Sequence, residues 1–156
     1  MHTANEIQSG ATYDRKRIVD LLGRATLAEL QDALATIGPT PAFTPLRGPE
    51  TGLVMVKGRI GGGGAPFNLG EATVSRASVR LAEGRIGHGY RLGTDRKAAQ
   101  LSAILDAITQ DETSRAALES TLFTPLEARL AVEAERLEAE TAATKVDFFT
   151  MVRGED

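Results

Sequence analysis

The feature that most restricts how this chain can fold lies at its C-terminal end, in Lys145-Val-Asp-Phe-Phe-Thr-Met-Val-Arg-Gly-Glu-Asp156. A C-terminus is ordinarily polar and frayed. Here two of the chain's five phenylalanines fall within twelve residues, beside Val146, Met151 and Val152. The segment reads as a strand with Val146, Phe148, Thr150 and Val152 on one side and Phe149 and Met151 on the other. A strand apolar on both sides has to be covered on both. It is therefore either the last strand of its own sheet or a segment that docks on another chain. Val146, Asp147, Phe148, Phe149, Met151 and Arg153 are its candidate interface residues.

The rest of the chain is short of catalytic groups. It has no cysteine, which removes disulfides, thiolate nucleophiles, and cysteine-held zinc or iron–sulfur clusters. Its two histidines are His2, in a polar leader over residues 1–12, and His88. No Gly-x-Ser-x-Gly elbow and no Gly-Lys-Ser/Thr phosphate loop occurs. The net charge of −3 and 4% aromatic content speak against nucleic acid as a partner. No apolar run reaches the ~18–20 residues of a membrane span, and the start has no apolar signal core. A cytoplasmic protein without membrane contact is the expectation. At 156 residues the chain suits one domain, placed at 13–156 behind the leader.

Local signals lay out an α+β domain. A helix is predicted from Tyr13 to about Gly23, with Ile18, Val19, Leu21 and Leu22 apolar. Thr26-Leu-Ala-Glu29 is a capping box, and Leu27, Leu30, Leu34 and Ile37 then repeat at helical spacing until Gly38-Pro39. Strands are expected at 42–47, 53–60, 67–81 and 85–92, with Gly61–Gly64 and Glu83-Gly84 as turns. Thr94 or Asp95 opens a helix carrying Leu101, Ile104, Leu105 and Ile108. A short helical piece with Leu118 and Leu122 follows. Thr124-Pro-Leu-Glu127 reads as a second capping box, opening a helix to about Ala143 with a thin stripe of Leu126, Leu130, Ala134 and Leu137. With the tail, the prediction is an antiparallel sheet of about four to five strands with helices packed on it.

Three constellations could carry chemistry. The run Gly61–Gly64 could approach a phosphate, but no helix start with Lys and Ser/Thr follows it, which fits a hairpin loop better. Lys57 and Arg59 share one side of their strand, and Arg76 and Arg80 one side of the next. If the strands pair, these four cations form a face for an acidic partner or a polyphosphate. Otherwise they are solvated surface charges. His88 aligns with Ile86, Tyr90 and Leu92 on what the alternation marks as the apolar side, so it is a core histidine or a general base. The acids between Glu133 and Glu140 interleave with Arg129 and Arg136 as a solvated helix face. Read this way, the chain is an interaction or accessory domain. The alternative is a stand-alone phosphate-ester-binding enzyme using His88 and the basic sheet face.

Several blocks together resemble the PhnG subunit of the carbon–phosphorus lyase system. They are Glu50-Thr-Gly-Leu-Val-Met-Val, Arg59-Ile-Gly-Gly-Gly-Gly, Phe67-Asn-Leu-Gly-Glu-Ala-Thr-Val-Ser-Arg-Ala and Val79-Arg-Leu-Ala-Glu-Gly, then Val146-Asp-Phe-Phe-Thr-Met-Val-Arg-Gly. The resemblance implies a subunit that assembles with PhnH-, PhnI- and PhnJ-like subunits, the PhnI-like one most directly, with a PhnL- or PhnK-like ATPase in association. It implies bacterial phosphonate use, in which the phosphonate displaces adenine from MgATP to give ribose 1-phosphonate 5-triphosphate. It also implies that this chain binds no cofactor and that the iron–sulfur cluster of the system resides on another subunit.

Overall fold

The structure, a computed structural model, describes residues 13–145. The predicted leader at 1–12 and the predicted tail strand at 146–152 lie outside the described residues, as do residues 153–156. Two helices open the fold, α1 (Arg15–Arg24) and α2 (Leu27–Ile37), and three strands follow, β1 (Phe43–Gly58), β2 (Phe67–Leu81) and β3 (Ile86–Leu92). Helices α3 (Arg96–Ile108), α4 (Glu112–Leu118) and α5 (Thr124–Ala143) complete it. The strands form an antiparallel meander in the order β1-β2-β3. The predicted class is therefore observed, with three strands among the described residues. The segments expected at 42–47 and 53–60 are one strand, which runs through register shifts between Pro45, Arg47 and Glu50.

The helix starts follow their side-chain chemistry. Asp14 accepts the Arg17 amide at 2.7 Å. Thr26 and Glu29 close the predicted capping box, with Glu29 N to Thr26 Oγ1 at 3.2 Å and Thr26 N to Glu29 Oε2 at 2.7 Å. Asp95, rather than Thr94, caps α3 through the Ala98 amide at 2.9 Å. The second capping box does not form. Thr124 is already helical, and α4 runs on through a wide turn at Glu119–Phe123 into α5. Pro125 has no amide to donate, and the turn before it takes the longer bond, Thr124 N to Glu119 O. Glu127, freed from capping, accepts from Tyr13 at 2.7 Å and from Arg17 Nη2 at 2.6 Å. Those two hydrogen bonds hold its carboxyl below the usual carboxylate range. The stability it contributes is present above its unfolded pKa and is lost as pH falls through the lowered one.

The core lies between one face of the sheet and the helices. Leu21, Leu22, Leu30, Val79, Ile104, Leu105, Leu118, Phe123 and Leu126 are all fully buried. Helix α3 is its centre and packs on β2 and β3. It meets β3 at Gly87 and Gly89, opposite Ala99, Ala103 and Ala107. A polar tie crosses the same layer. The Asp106 carboxylate is fully buried and accepts Arg15 Nε at 3.1 Å, Arg15 Nη2 at 2.9 Å and the His88 amide at 2.8 Å. One side chain of α3 thereby fixes α1 and β3. Arg15→Ala leaves that carboxylate buried with its charge unpaired. The expected loss is about 3 kcal/mol, since breaking a buried pair costs ~3–5 kcal/mol and Arg15 is half-exposed. A fall in the urea midpoint with an unchanged denaturant slope would register it.

Candidate partner-docking surfaces

The second strand is more than twice as long as the third, 15 residues against 7. Strand β3 pairs only with Val74–Arg80, and the Gly93 amide closes its lane on Thr73 O at 2.9 Å. Beyond that point β1 and β2 continue as a two-stranded arm, from Leu53↔Thr73 to Gly58↔Phe67, tipped by the turn Ile60–Gly62. Its side chains are apolar on both faces. Leu53 and Met55 lie on the side that faces the helices lower down, at 63% and 55% exposure, whereas Val54 and Val56 lie on the other. Ile60, Phe67 and Leu69 add exposed apolar surface towards the tip. Soluble monomers rarely expose such a contiguous set unless it is a contact site.

A second projection is α5. Leu126 is buried and Leu130 packs against the core, but every residue from Ala131 to Lys145 is exposed. The 13 residues from Ala131 to Ala143 extend about 20 Å at 1.5 Å per residue. Val132 and Leu137 stand exposed on this helix, which carries the chain towards the tail. The candidate tail residues themselves lie outside the described residues.

The four predicted cations do not make one face. Lys57 pairs opposite Asn68, whereas Arg76 pairs opposite Glu50 and Arg80 opposite Thr44. The eight-residue step from Asn68 to Arg76 puts about 27 Å between the two pairs. Lys57 and Arg59 belong to the arm. Arg76 and Arg80 lie on the sheet face away from the helices. There Glu50 Oε1 accepts Arg47 Nε and Arg76 Nε, each at 2.7 Å, and these bonds hold the Glu50 carboxyl below its usual range. Arg76 is thus already paired, while Arg80 has no ion-pair partner among the described residues.

His88 lies on this open face and not in the core. Gly87 and Gly89 occupy the buried side of β3, because α3 comes too close for any side chain there. The ring Nδ1 of His88 is 2.9 Å from Ser78 Oγ, its cross-strand neighbour. Asp106 bonds the His88 backbone amide and not the ring. The pair is a serine and a histidine on a flat exposed sheet, with Arg76 and Arg80 flanking Ser78 along the strand. The Gly61–Gly64 run sits at the arm's tip, where Gly61 takes φ 61°. An open cleft of about 470 Å³ lies elsewhere, between α1 and the end of β3, lined by Lys16, Asp20, Arg24 and Arg91 among others. No group of three or more metal-ligating side chains converges among the described residues, and no described helix is long and apolar enough to cross a membrane.

Strand lengths alone could have disclosed the arm. A 15-residue strand beside one of about eight leaves half of it without a third neighbour. Residues 13–154 match the family described as "Phosphonate metabolism protein PhnG". A curated protein of Rhizobium meliloti (strain 1021), "Alpha-D-ribose 1-methylphosphonate 5-triphosphate synthase subunit PhnG", is 55% identical over 156 residues, which is 100% of this chain and 99% of that one.

Proposed function

The chain belongs to the PhnG family, and we propose from that premise that it is a subunit of an alpha-D-ribose 1-methylphosphonate 5-triphosphate synthase in phosphonate catabolism. The observation that carries this reading is the pair of projections. A domain with a packed core of its own sends out an arm apolar on both faces and a helix exposed along most of its length. Both are shapes for holding other subunits. PhnH-, PhnI- and PhnJ-like subunits are the proposed partners, with a PhnL- or PhnK-like ATPase in association. The PhnI-like subunit is the proposed direct neighbour.

In that assembly the phosphonate displaces adenine from MgATP, giving ribose 1-phosphonate 5-triphosphate. MgATP and the iron–sulfur cluster are assigned to other subunits, and the present chain organises the complex. The test is adenine release from MgATP and methylphosphonate. The complete assembly should turn over, and the purified chain alone should not. Release by the isolated chain at a rate comparable to the complex would overturn the reading.

The Ser78–His88 pair gives the competing enzyme reading a concrete target. His88→Ala should change the rate of the assembled complex by less than about threefold, because no carboxylate among the described residues orients the ring and the pair lies on an open face. A loss of about 10²-fold with assembly intact would assign the pair acid–base work.

A further inference from the structure

We propose that the β1–β2 arm inserts into an apolar cleft of a partner subunit, and that carboxylates at the far end of the cleft meet Lys57 and Arg59. The proposal rests on the reading of this chain as a subunit. An arm apolar on one face would lie flat on a surface. This one exposes Leu53 and Met55 on one face and Val56 on the other, so a single flat surface leaves half of it in water. Only an occupant that grips both faces removes the whole set.

The charge pattern names the chemistry of that occupant. The arm's acid is Glu71, opposite Met55 near its base, whereas Lys57 and Arg59 are its cations and lie towards the tip, where no Asp or Glu occurs between Gly52 and Gly70. Neither cation has an ion-pair partner among the described residues. On the same sheet Arg76 is locked by Glu50, whereas Arg80 is, like the arm's two cations, without an ion-pair partner among the described residues. Two unpaired cations just before a glycine turn fit carboxylates supplied from outside, at the deep end of an inserted ribbon. Such pairs mainly set register and orientation, and the apolar shaft supplies affinity.

The experiment uses the full chain co-expressed with the other synthase subunits. Photoreactive benzoylphenylalanine replaces Leu53 in one variant and Val56 in another, which places probes on opposite faces. Both should cross-link to one and the same other subunit. The double charge reversal Lys57→Glu with Arg59→Glu should lower the yield of assembled complex at least about tenfold, with the melting temperature of the isolated chain unchanged. Cross-links to a second copy of this chain would overturn the proposal. So would an intact complex with either probe uncross-linked, or charge reversal without effect. Those outcomes leave the subunit reading standing. If the unmodified chain joins no other subunit, both fall.

Discussion

Gly89→Ala should leave the isolated domain without a cooperative melting transition. A methyl group built on Gly89 would sit 2.0 Å from the Ala99 carbonyl oxygen and 2.9 Å from the Ala103 amide nitrogen. The atoms in the way are helix backbone, which cannot rotate aside as a side chain can. To admit the methyl, α3 must move off the sheet by more than an ångström, and α3 carries Ile104, Leu105 and Asp106 at the centre of the core. Overpacking costs about 1–3 kcal/mol when side chains can adjust. Here the whole helix–sheet layer is displaced, so the cost should approach the ~5–15 kcal/mol of total stability. Gly87 is held as closely, 1.9 Å from the Ala103 carbonyl oxygen, and should behave alike. Gly70→Ala is the control, since nothing lies within 4 Å of its methyl position. Thermal unfolding followed by circular dichroism would decide. A Gly89→Ala protein that melts within about 2 °C of the parent would show that α3 does not rest on the strand backbone as described.

The same seam explains where sequence reasoning succeeded and where it failed. Alternation located β3 and its pairing with β2, but put His88 on the buried side. It weighs side chains, and on this strand the large ones, Ile86, Tyr90 and Leu92, share a side with His88. The buried side is marked instead by two glycines, because the covering helix meets backbone there. Thr26-x-x-Glu29 was legible as a cap since both partners are local in sequence. The equally good pattern Thr124-x-x-Glu127 failed because Tyr13 and Arg17, more than a hundred residues away, claim the glutamate. The cationic face failed for a related reason. Its four members share strands, but the register of a long hairpin spreads them along the ribbon. That arm could be inferred only by comparing strand lengths, not from any single strand.

Removal of residues 146–156 should abolish assembly and leave the domain folded. The packed contacts of α5 end near Leu130, and the helix runs exposed from Ala131 onwards. A tail that begins after this helix starts about 20 Å beyond the last residue that touches the core. Eleven residues could return to their own domain only by reversing along the helix. Reaching a neighbouring subunit needs no reversal. Burying Phe148, Phe149 and Met151 contributes roughly 1.5–3 kcal/mol each, and every 1.4 kcal/mol is about a tenfold change in affinity. Loss of all three should weaken association by about 10³-fold or more before the ordering of the segment is counted. The truncated chain should therefore melt within about 2 °C of the parent and fail to co-elute with the other subunits. Phe148→Asp and Phe149→Asp test the two faces of the strand predicted from the sequence, and each should weaken co-elution if both faces are covered by a partner. A truncated chain that unfolds would make the tail a strand of its own core. One that folds and still assembles with undiminished affinity would leave the arm, not the tail, as the anchor.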